Sequence, residues 1–461
     1  MSFEGEFASY EPLRRIMESQ KVAELEKRLT VRNDDKATRD SIKNNIVKKT
    51  DLDESILQPN YIIAIDGSNL SHPIKNGFPG AEFGYITIAS VLLKLDLIKQ
   101  LESNKFIDPR LARKTEDATS IETVFPGCNV ILDKEDDAKS SVRKAIYEEF
   151  ARNKIFKNCE TLLDTYEYLF QLKIDSEGKS TSKPKSPIEG YADKDMTYGM
   201  GIYKCPYSGK NLYSTDALRL HELLNPSGKS GELFGQIMST MEKLWLVHIL
   251  RAFEQNGWLE FAQEYAFVMD GPLAVFSTSS WLTKVISKEI KRINDKQKEV
   301  SGVDLLIIGI EKSGTFFNHF TDIDTDSEGH TDIFPNQSAL LLDDSYIKKN
   351  IEIEFSKSTK PYGQDTYFGR KFFYKTKSGQ KIVPVACTFT DYQKNMSTAK
   401  PDQFPRLADI MTLLDSVVSC RYPNSISPLI SAHAEAAIPL NLGKRLFDEI
   451  AKEIKERKTK C

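Results

Sequence analysis

Two apolar runs along the chain each stop at an aspartate that is followed by glycine. Residues 61–65 read Tyr-Ile-Ile-Ala-Ile and precede Asp66, and residues 266–269 read Ala-Phe-Val-Met and precede Asp270. Short runs rich in β-branched and aromatic residues, closed by a turn-forming pair, are typical of buried strands. The pattern therefore predicts two strands that each place one carboxylate at the edge of a sheet.

The rest of the pattern predicts a mixed α/β chain. Helical periodicity predicts helices over residues 137–172, 232–255, 280–294, 405–419 and 428–457. Apolar runs predict further strands at residues 83–95, 128–132 and 303–310, of which the first two form a three-stranded antiparallel start with 61–66. The succession of strand, helix and strand across residues 264–310 predicts parallel pairing.

The length of 461 residues exceeds the roughly 250–300 at which a single core usually stops growing. We therefore expect one main domain with large insertions. Residues 1–58 are charged and helix-prone, which predicts an N-terminal helical extension for docking or dimerisation, and residues 59–461 form the main domain. Insertions are expected at 175–215, which opens with a polar, turn-rich stretch, and at 320–400, a β-rich region.

Composition narrows the possible partners. The 63 basic and 66 acidic residues leave a net charge of −3, so a polyanion must be held by a local patch rather than by bulk charge. The six cysteines are scattered without a CxxC pair, which argues against a zinc site and fits a reducing cytosol. With no apolar run of ~18 residues and no signal-like N-terminus, we expect a cytoplasmic protein without a membrane segment.

Asp66 and Asp270 are the first candidates for chemistry. A single Asp-Gly pair after a strand usually marks a turn. Two such pairs after unusually apolar strands support a second interpretation beside the turn, because a carboxylate at the end of a buried strand bears a desolvation cost that a metal or a cation offsets. Two carboxylates side by side would form the start of an oxygen-ligand metal site.

The helix predicted over residues 232–255 offers a third carboxylate. The residues next to Glu242 around the helix axis are largely apolar. Glu254 lies near the helix end beside Arg251 and Gln255, a pattern typical of a solvated face. Glu242 is therefore the stronger candidate.

Two further residues have both a chemical and an ordinary interpretation. His433 lies on an apolar stripe of the helix that opens at Ser427 and Pro428, where a histidine is either hydrogen-bonded in the core or a ligand. Lys312 follows the strand predicted at 303–310 and is either a phosphate contact at the carboxylate end of the sheet or an exposed loop lysine.

Four short motifs follow one another along the chain: Ile65-Asp66-Gly67-Ser68, Met269-Asp270-Gly271-Pro272-Leu273, Ile310-Glu311-Lys312-Ser313, and Tyr422-Pro423 followed by Pro428-Leu429-Ile430-Ser431-Ala432-His433. In this order they resemble the NurA nuclease family over about residues 60–440. The resemblance implies an RNase H-like mixed sheet flanked by helices, manganese-dependent DNA nuclease activity and a homodimer. It also implies partnership with the hexameric ATPase HerA in DNA end processing and repair, or in anti-phage defence.

The resemblance also implies roles for the candidate residues. Asp66 and Asp270 match the family's strand-end aspartates and His433 its histidine ligand, while Glu242 suits the helix acid, with Glu254 as the alternative. Together they would bind Mn²⁺, with Mg²⁺ as an alternative, for in-line hydrolysis of a phosphodiester. Lys312 would hold a phosphate of the DNA.

Two other classes of function stay open at this point. The chain is alternatively a catalytically idle DNA clamp or scaffold that docks the ATPase. An actin-like ATPase ranks third, since Asp66-Gly67-Ser68 resembles the phosphate-binding turn of that class.

Overall fold

The computed structural model describes two compact units, Met1–Asn45 and Ile46–Cys461. The predicted boundary at residue 58 falls later than this division, because residues 46–48 already form a strand of the larger unit's sheet. The residues described are 10–29, 42, 45–53, 57–75, 80–98, 116–133, 135–177, 184–325, 333–352, 357–389, 396–419, 425–437 and 452.

The described part of the smaller unit holds two short helices, α1 (Glu11–Met17) and α2 (Gln20–Glu26). Both lie within the segment predicted to be helical, and neither contains a buried residue. Residues 1–9 and 30–41 of the predicted extension lie outside the described residues.

A nine-stranded mixed sheet is the centre of the larger unit, with the strand order β1-β9-β10-β11-β8-β7-β2-β3-β4. A separate pair, β5 and β6, forms a small hairpin sheet within the segment predicted as the first insertion. The strands are β1 (Ile46–Lys48), β2 (Tyr61–Pro73), β3 (Glu82–Lys94), β4 (Glu116–Pro126), β5 (Ile202–Lys204), β6 (Asn211–Tyr213), β7 (Tyr265–Asp270), β8 (Leu306–Glu311), β9 (Ser338–Leu341), β10 (Gly369–Lys375) and β11 (Lys381–Cys387).

Helices cover both faces of the sheet. The two faces carry separate apolar cores, one packed against α3 to α6 and the other against α9 and α10. The helices of the larger unit are α3 (Ala138–Arg152), α4 (Leu162–Glu177), α5 (Gly231–Gln255), α6 (Leu282–Ser301), α7 (Thr315–Ile323), α8 (Asp344–Asn350), α9 (Leu407–Val417) and α10 (Ser427–Ala436). Across the described ranges, no helix combines the length and apolar character needed to cross a bilayer.

The strand containing Asp66 is longer than its apolar run predicts. β2 pairs in parallel with β7 only as far as Ile65 opposite Met269, but it continues to Pro73 in antiparallel pairing with β3. The predicted strand end at Asp66 is therefore wrong, because β3 supplies backbone partners beyond the point where β7 stops. The predicted parallel pairing of β7 with β8 is confirmed.

The third antiparallel strand also differs from the prediction. It was predicted at residues 128–132, which lie in a turn and coil, and the observed strand is β4. β4 is an edge strand in which Ile121 and Phe125 are buried while Glu122 and Val124 are exposed. Such alternation lowers the apolar density of a run, which is why the pattern along the chain favours the more continuous apolar segment after it.

Two further predictions, one of an insertion and one of a helix, differ from the structure. The region predicted as a β-rich insertion contains β9, β10 and β11, which extend the central sheet through the pairing of β11 with β8. Of the helix predicted over residues 428–457, the structure shows α10 up to Ala436, and Ala437 has an extended backbone. Residues 438–451 and 453–457 of that prediction lie outside the described residues. Pro439, two residues after Ala437, disfavours continuation because proline lacks the N–H and restricts the residue before it.

Candidate metal centre

The strand register brings Asp66 and Asp270 to the same level of the sheet. Ile65 lies opposite Met269 on parallel neighbours, so the next residue of each strand is an aspartate. Neighbouring strands lie about 4.8 Å apart, and alternation directs both side chains to the sheet face covered by α10. The two carboxylates predicted from sequence therefore meet where the pairing of β2 with β7 ends.

Asp66 is buried, with 5% of its surface exposed. Its Oδ1 accepts a hydrogen bond from the backbone N–H of Gly67 at 2.8 Å, and its Oδ2 lies 2.9 Å from Nδ1 of His433 on α10. When the carboxylate is ionised, Nδ1 carries the proton of this contact. Nε2 of His433 is then the ring atom able to act as a ligand, in the arrangement common among metal-binding histidines.

Glu242 approaches the same place from the opposite face, on α5. It is 5% exposed, and a Cβ atom added to Gly67 would lie only 2.5 Å from its Oε1. The absence of a side chain at Gly67 therefore lets the helix carboxylate reach the strand. The sequence interpretation treated Asp66-Gly67 as a turn signal, whereas the glycine makes room within a strand for Glu242.

Lys243 is a residue of this centre that the sequence interpretation missed. Its Nζ donates to Oε2 of Glu242 at 2.8 Å, and only 3% of its side chain is exposed. A usable signal exists in the sequence, because the helical neighbours Leu246 and Val247 are as apolar as those that singled out Glu242.

Lys312 follows β8 and reaches the carboxylate end of the sheet, as predicted. Its Nζ donates to Oδ2 of Asp270 at 2.8 Å, with 29% of the lysine and 25% of the aspartate side chain exposed. This lysine therefore lies at the rim of the cluster, where it is accessible to solvent.

Burial and mutual repulsion set the electrostatics of the cluster. The pKa of Asp66 is raised to about 6, mainly by burial and then by the charges of Asp270 and Glu242, while the contact with His433 opposes the shift. Burial also raises the pKa of Glu242, against the opposing charge and hydrogen bond of Lys243. The three acids therefore share one electrostatic environment that favours an added positive charge.

Glu254, the alternative helix acid, is not part of this cluster. It lies twelve residues beyond Glu242 on α5, or about 18 Å along the helix axis. Hydrogen bonds from Arg292 and Lys296 lower its pKa to about 2. It belongs to an ion-pair network with α6.

The donor set fits a hard divalent cation in its chemistry, since three carboxylates and an imidazole suit Mn²⁺. The charges of Asp270 and Glu242 contribute, after burial, to the raised pKa of Asp66, so the three acids lie near enough to repel one another. As the side chains stand, however, no three His, Cys, Asp or Glu residues within the described ranges form a ready metal-binding group. Each carboxylate instead contacts a basic side chain: His433, Lys243 or Lys312.

The fold and the cluster define a mixed α/β protein with an acidic centre at the point where parallel pairing ends. A family model described as NurA domain matches residues 61–438, which include all five predicted site residues. The chain belongs to the NurA domain family. A comparison with curated proteins gave no match.

Solved structures were also compared. The NurA nuclease from Sulfolobus solfataricus is 12% identical, with 97% of each chain covered and a TM-score of 0.33. A structure of NurA with manganese is 13% identical over 93% of this chain and 95% of its own, with a TM-score of 0.21.

Proposed function

We propose that this chain is a metal-dependent deoxyribonuclease that hydrolyses phosphodiester bonds, as an exonuclease, an endonuclease or both. Mn²⁺ is the preferred metal and Mg²⁺ the alternative. The observation that carries the proposal is that Asp66 contacts His433 while Asp270 and Glu242, on two further elements, lie near enough for their charges to raise its pKa. Membership of the NurA domain family supports it, since resemblance to that family implies a DNA nuclease on an RNase H-like fold.

The roles of the residues follow from their positions. A bound divalent cation would polarise the scissile phosphate and make water a stronger nucleophile. Asp66, Glu242 and Asp270 would hold it, and His433 would supply Nε2. Lys312 at the rim would exchange its contact with Asp270 for one with a phosphate oxygen of the DNA. That contact would orient the scissile P–O bond for in-line attack by water and departure of the sugar oxygen.

One observation favours the second candidate, a catalytically idle DNA clamp or scaffold. Every carboxylate of the cluster already contacts a basic side chain of the protein, so the cluster is charge-compensated without a metal. Titration with Mn²⁺ by calorimetry separates the candidates, using wild type, Asp66→Ala and Asp270→Ala. The nuclease requires binding in the wild type that both variants weaken, and the scaffold requires none.

Activity is tested with purified protein and end-labelled linear DNA in Mn²⁺, Mg²⁺ or EDTA. We expect cleavage by the wild type with Mn²⁺, and loss of cleavage in EDTA, in Asp66→Asn and in Asp270→Asn. Asp402→Asn is the matched control, because Asp402 is an exposed acid outside the cluster. Equal cleavage by wild type and Asp66→Asn would show that the activity comes from a contaminant or another site.

We further propose that the protein works in the cytoplasm as a homodimer with a HerA-like hexameric ATPase, in DNA end processing and repair or in anti-phage defence. The net charge of −3 supports reliance on a dimer channel or a motor partner, since bulk charge supplies no grip on DNA. Sedimentation tests the dimer. Adding a cognate HerA-like ATPase to the cleavage assay tests the partner, and an unchanged rate and product length would contradict it.

A further inference from the structure

We propose that Lys243 is a positioning residue of the acidic centre, which holds one oxygen of Glu242 so that the other faces Gly67 and Asp66. The catalytic consequence of this inference rests on the proposed nuclease function. The contact itself is a property of the fold and is testable without activity.

The two oxygens of Glu242 have different surroundings. Lys243 Nζ donates to Oε2 at 2.8 Å, while Oε1 faces the position that a Gly67 side chain would fill. Rotating the carboxylate out of this orientation would break the bond to Lys243. The lysine therefore fixes the orientation in which the carboxylate approaches the strand.

The depth of Lys243 makes this arrangement persistent. Its side chain is 3% exposed and that of Glu242 is 7% exposed, so neither charge can move into water without a change of the helix packing. Removing one partner from a buried ion pair leaves the other uncompensated at considerable cost. Lys312 differs, because its 29% exposure lets it leave Asp270 for a phosphate, whereas Lys243 stays with Glu242.

The test combines Lys243→Met, Lys243→Arg, Glu242→Gln and the double variant Glu242→Gln/Lys243→Met. Lys375→Met is the matched control, because Lys375 is also a buried lysine paired with a carboxylate, at 2.9 Å from Asp324. It lies on β10, three strand spacings or about 14 Å from β7. Mn²⁺ affinity is measured by calorimetry, DNA cleavage by kcat and KM, and stability by thermal unfolding.

We expect Lys243→Met to weaken Mn²⁺ binding by about 10- to 100-fold and to lower kcat by a similar factor, as for outer partners of metal ligands. The KM for DNA should stay near the wild-type value, and Lys243→Arg should restore part of kcat because it keeps the charge. In the Glu242→Gln background, Lys243→Met should change Mn²⁺ affinity no further. Lys375→Met should lower the unfolding temperature without changing Mn²⁺ affinity.

The inference would be overturned if Lys243→Met kept the wild-type Mn²⁺ affinity and kcat. It would also be overturned if Lys243→Met lowered the affinity as much in the Glu242→Gln background as in the wild-type background. If the wild type neither binds Mn²⁺ nor cleaves DNA, the proposed function fails while the contact remains testable. Lys243→Met should then lower the unfolding temperature more in the wild-type background than in Glu242→Gln. Equal decreases would show that Lys243 does not hold Glu242.

Discussion

Substituting Gly67 by alanine should disable the acidic centre while leaving the fold intact. An alanine Cβ would lie 2.5 Å from Glu242 Oε1, 2.8 Å from Met238 Cγ and 3.1 Å from Ile88 Cδ1. A methyl carbon ordinarily lies about 3.5 Å or more from other heavy atoms, where the dispersion attraction is strongest. Glu242 and Met238 must therefore both move. The carboxylate must retreat by about 1 Å to restore contact distance.

The expected magnitudes differ for stability and for activity. Overpacking by one methyl group typically costs about 1–3 kcal/mol, which a core of this size tolerates. A misplacement of about 1 Å at a reacting centre can lower the rate by about 10²-fold. Gly67→Ala should therefore lose most DNA cleavage and weaken Mn²⁺ binding while the protein still unfolds cooperatively.

Gly84→Ala is the matched control for this prediction. Gly84 lies on β3, where an added Cβ would meet the ring of Phe234 on α5, the helix that carries Glu242. Gly67 lies opposite Ile88 on β3, and Gly84 is four residues from Ile88. The two glycines are therefore separated by about 13 Å along the strand direction. Gly84→Ala should lower stability at least as much as Gly67→Ala, yet keep Mn²⁺ affinity.

The assays are single-turnover cleavage of linear DNA, calorimetry with Mn²⁺ and denaturant unfolding. Wild-type cleavage and metal affinity in Gly67→Ala would refute the close approach of Glu242 to β2. Equal loss of Mn²⁺ affinity in both glycine variants would show instead that the site responds to general overpacking.

Three further predictions concern single residues. Glu242→Gln should lower the rate of Mn²⁺-dependent cleavage by about 10²-fold or more, whereas Glu254→Gln should stay within about twofold of wild type. The opposite ranking would show that Glu254 is the helix ligand. Lys312→Ala should weaken DNA binding and lower the slope of log K against log salt by about 1, measured by fluorescence anisotropy; an unchanged slope would exclude a phosphate contact. Burial lowers the pKa of His248 to about 4, and its Nδ1 lies 2.7 Å from Thr165 Oγ1. The folded state therefore binds fewer protons than the unfolded state between about pH 4 and 6.5, so stability should fall by about 3 kcal/mol as pH drops through that window. His248→Asn should flatten this dependence in denaturant unfolding, and an unchanged pH profile would contradict the assignment.

Local patterns in the sequence determined the strands that hold the acids and the helix that faces them. The runs before Asp66 and Asp270 are apolar enough to form buried strands, and α5 was predicted within one residue of its observed start. Parallel pairing of β7 with β8 followed from the helix between them. These features depend on periodicity and connection length, both of which can be read along the chain.

Only the tertiary structure decided which residues meet. The length of β2 depends on its partner β3, and the use of Gly67 depends on α5 crossing that strand, so neither is encoded in the local pattern. The sequence favours Glu242 over Glu254, and the packing of α5 places Glu242 beside Gly67 and Glu254 beside Arg292. Lys243 was overlooked because lysines are usually solvated, and here burial beside Glu242 reverses that expectation. Contacts between elements distant in sequence arise from packing, which a pattern along one segment does not specify.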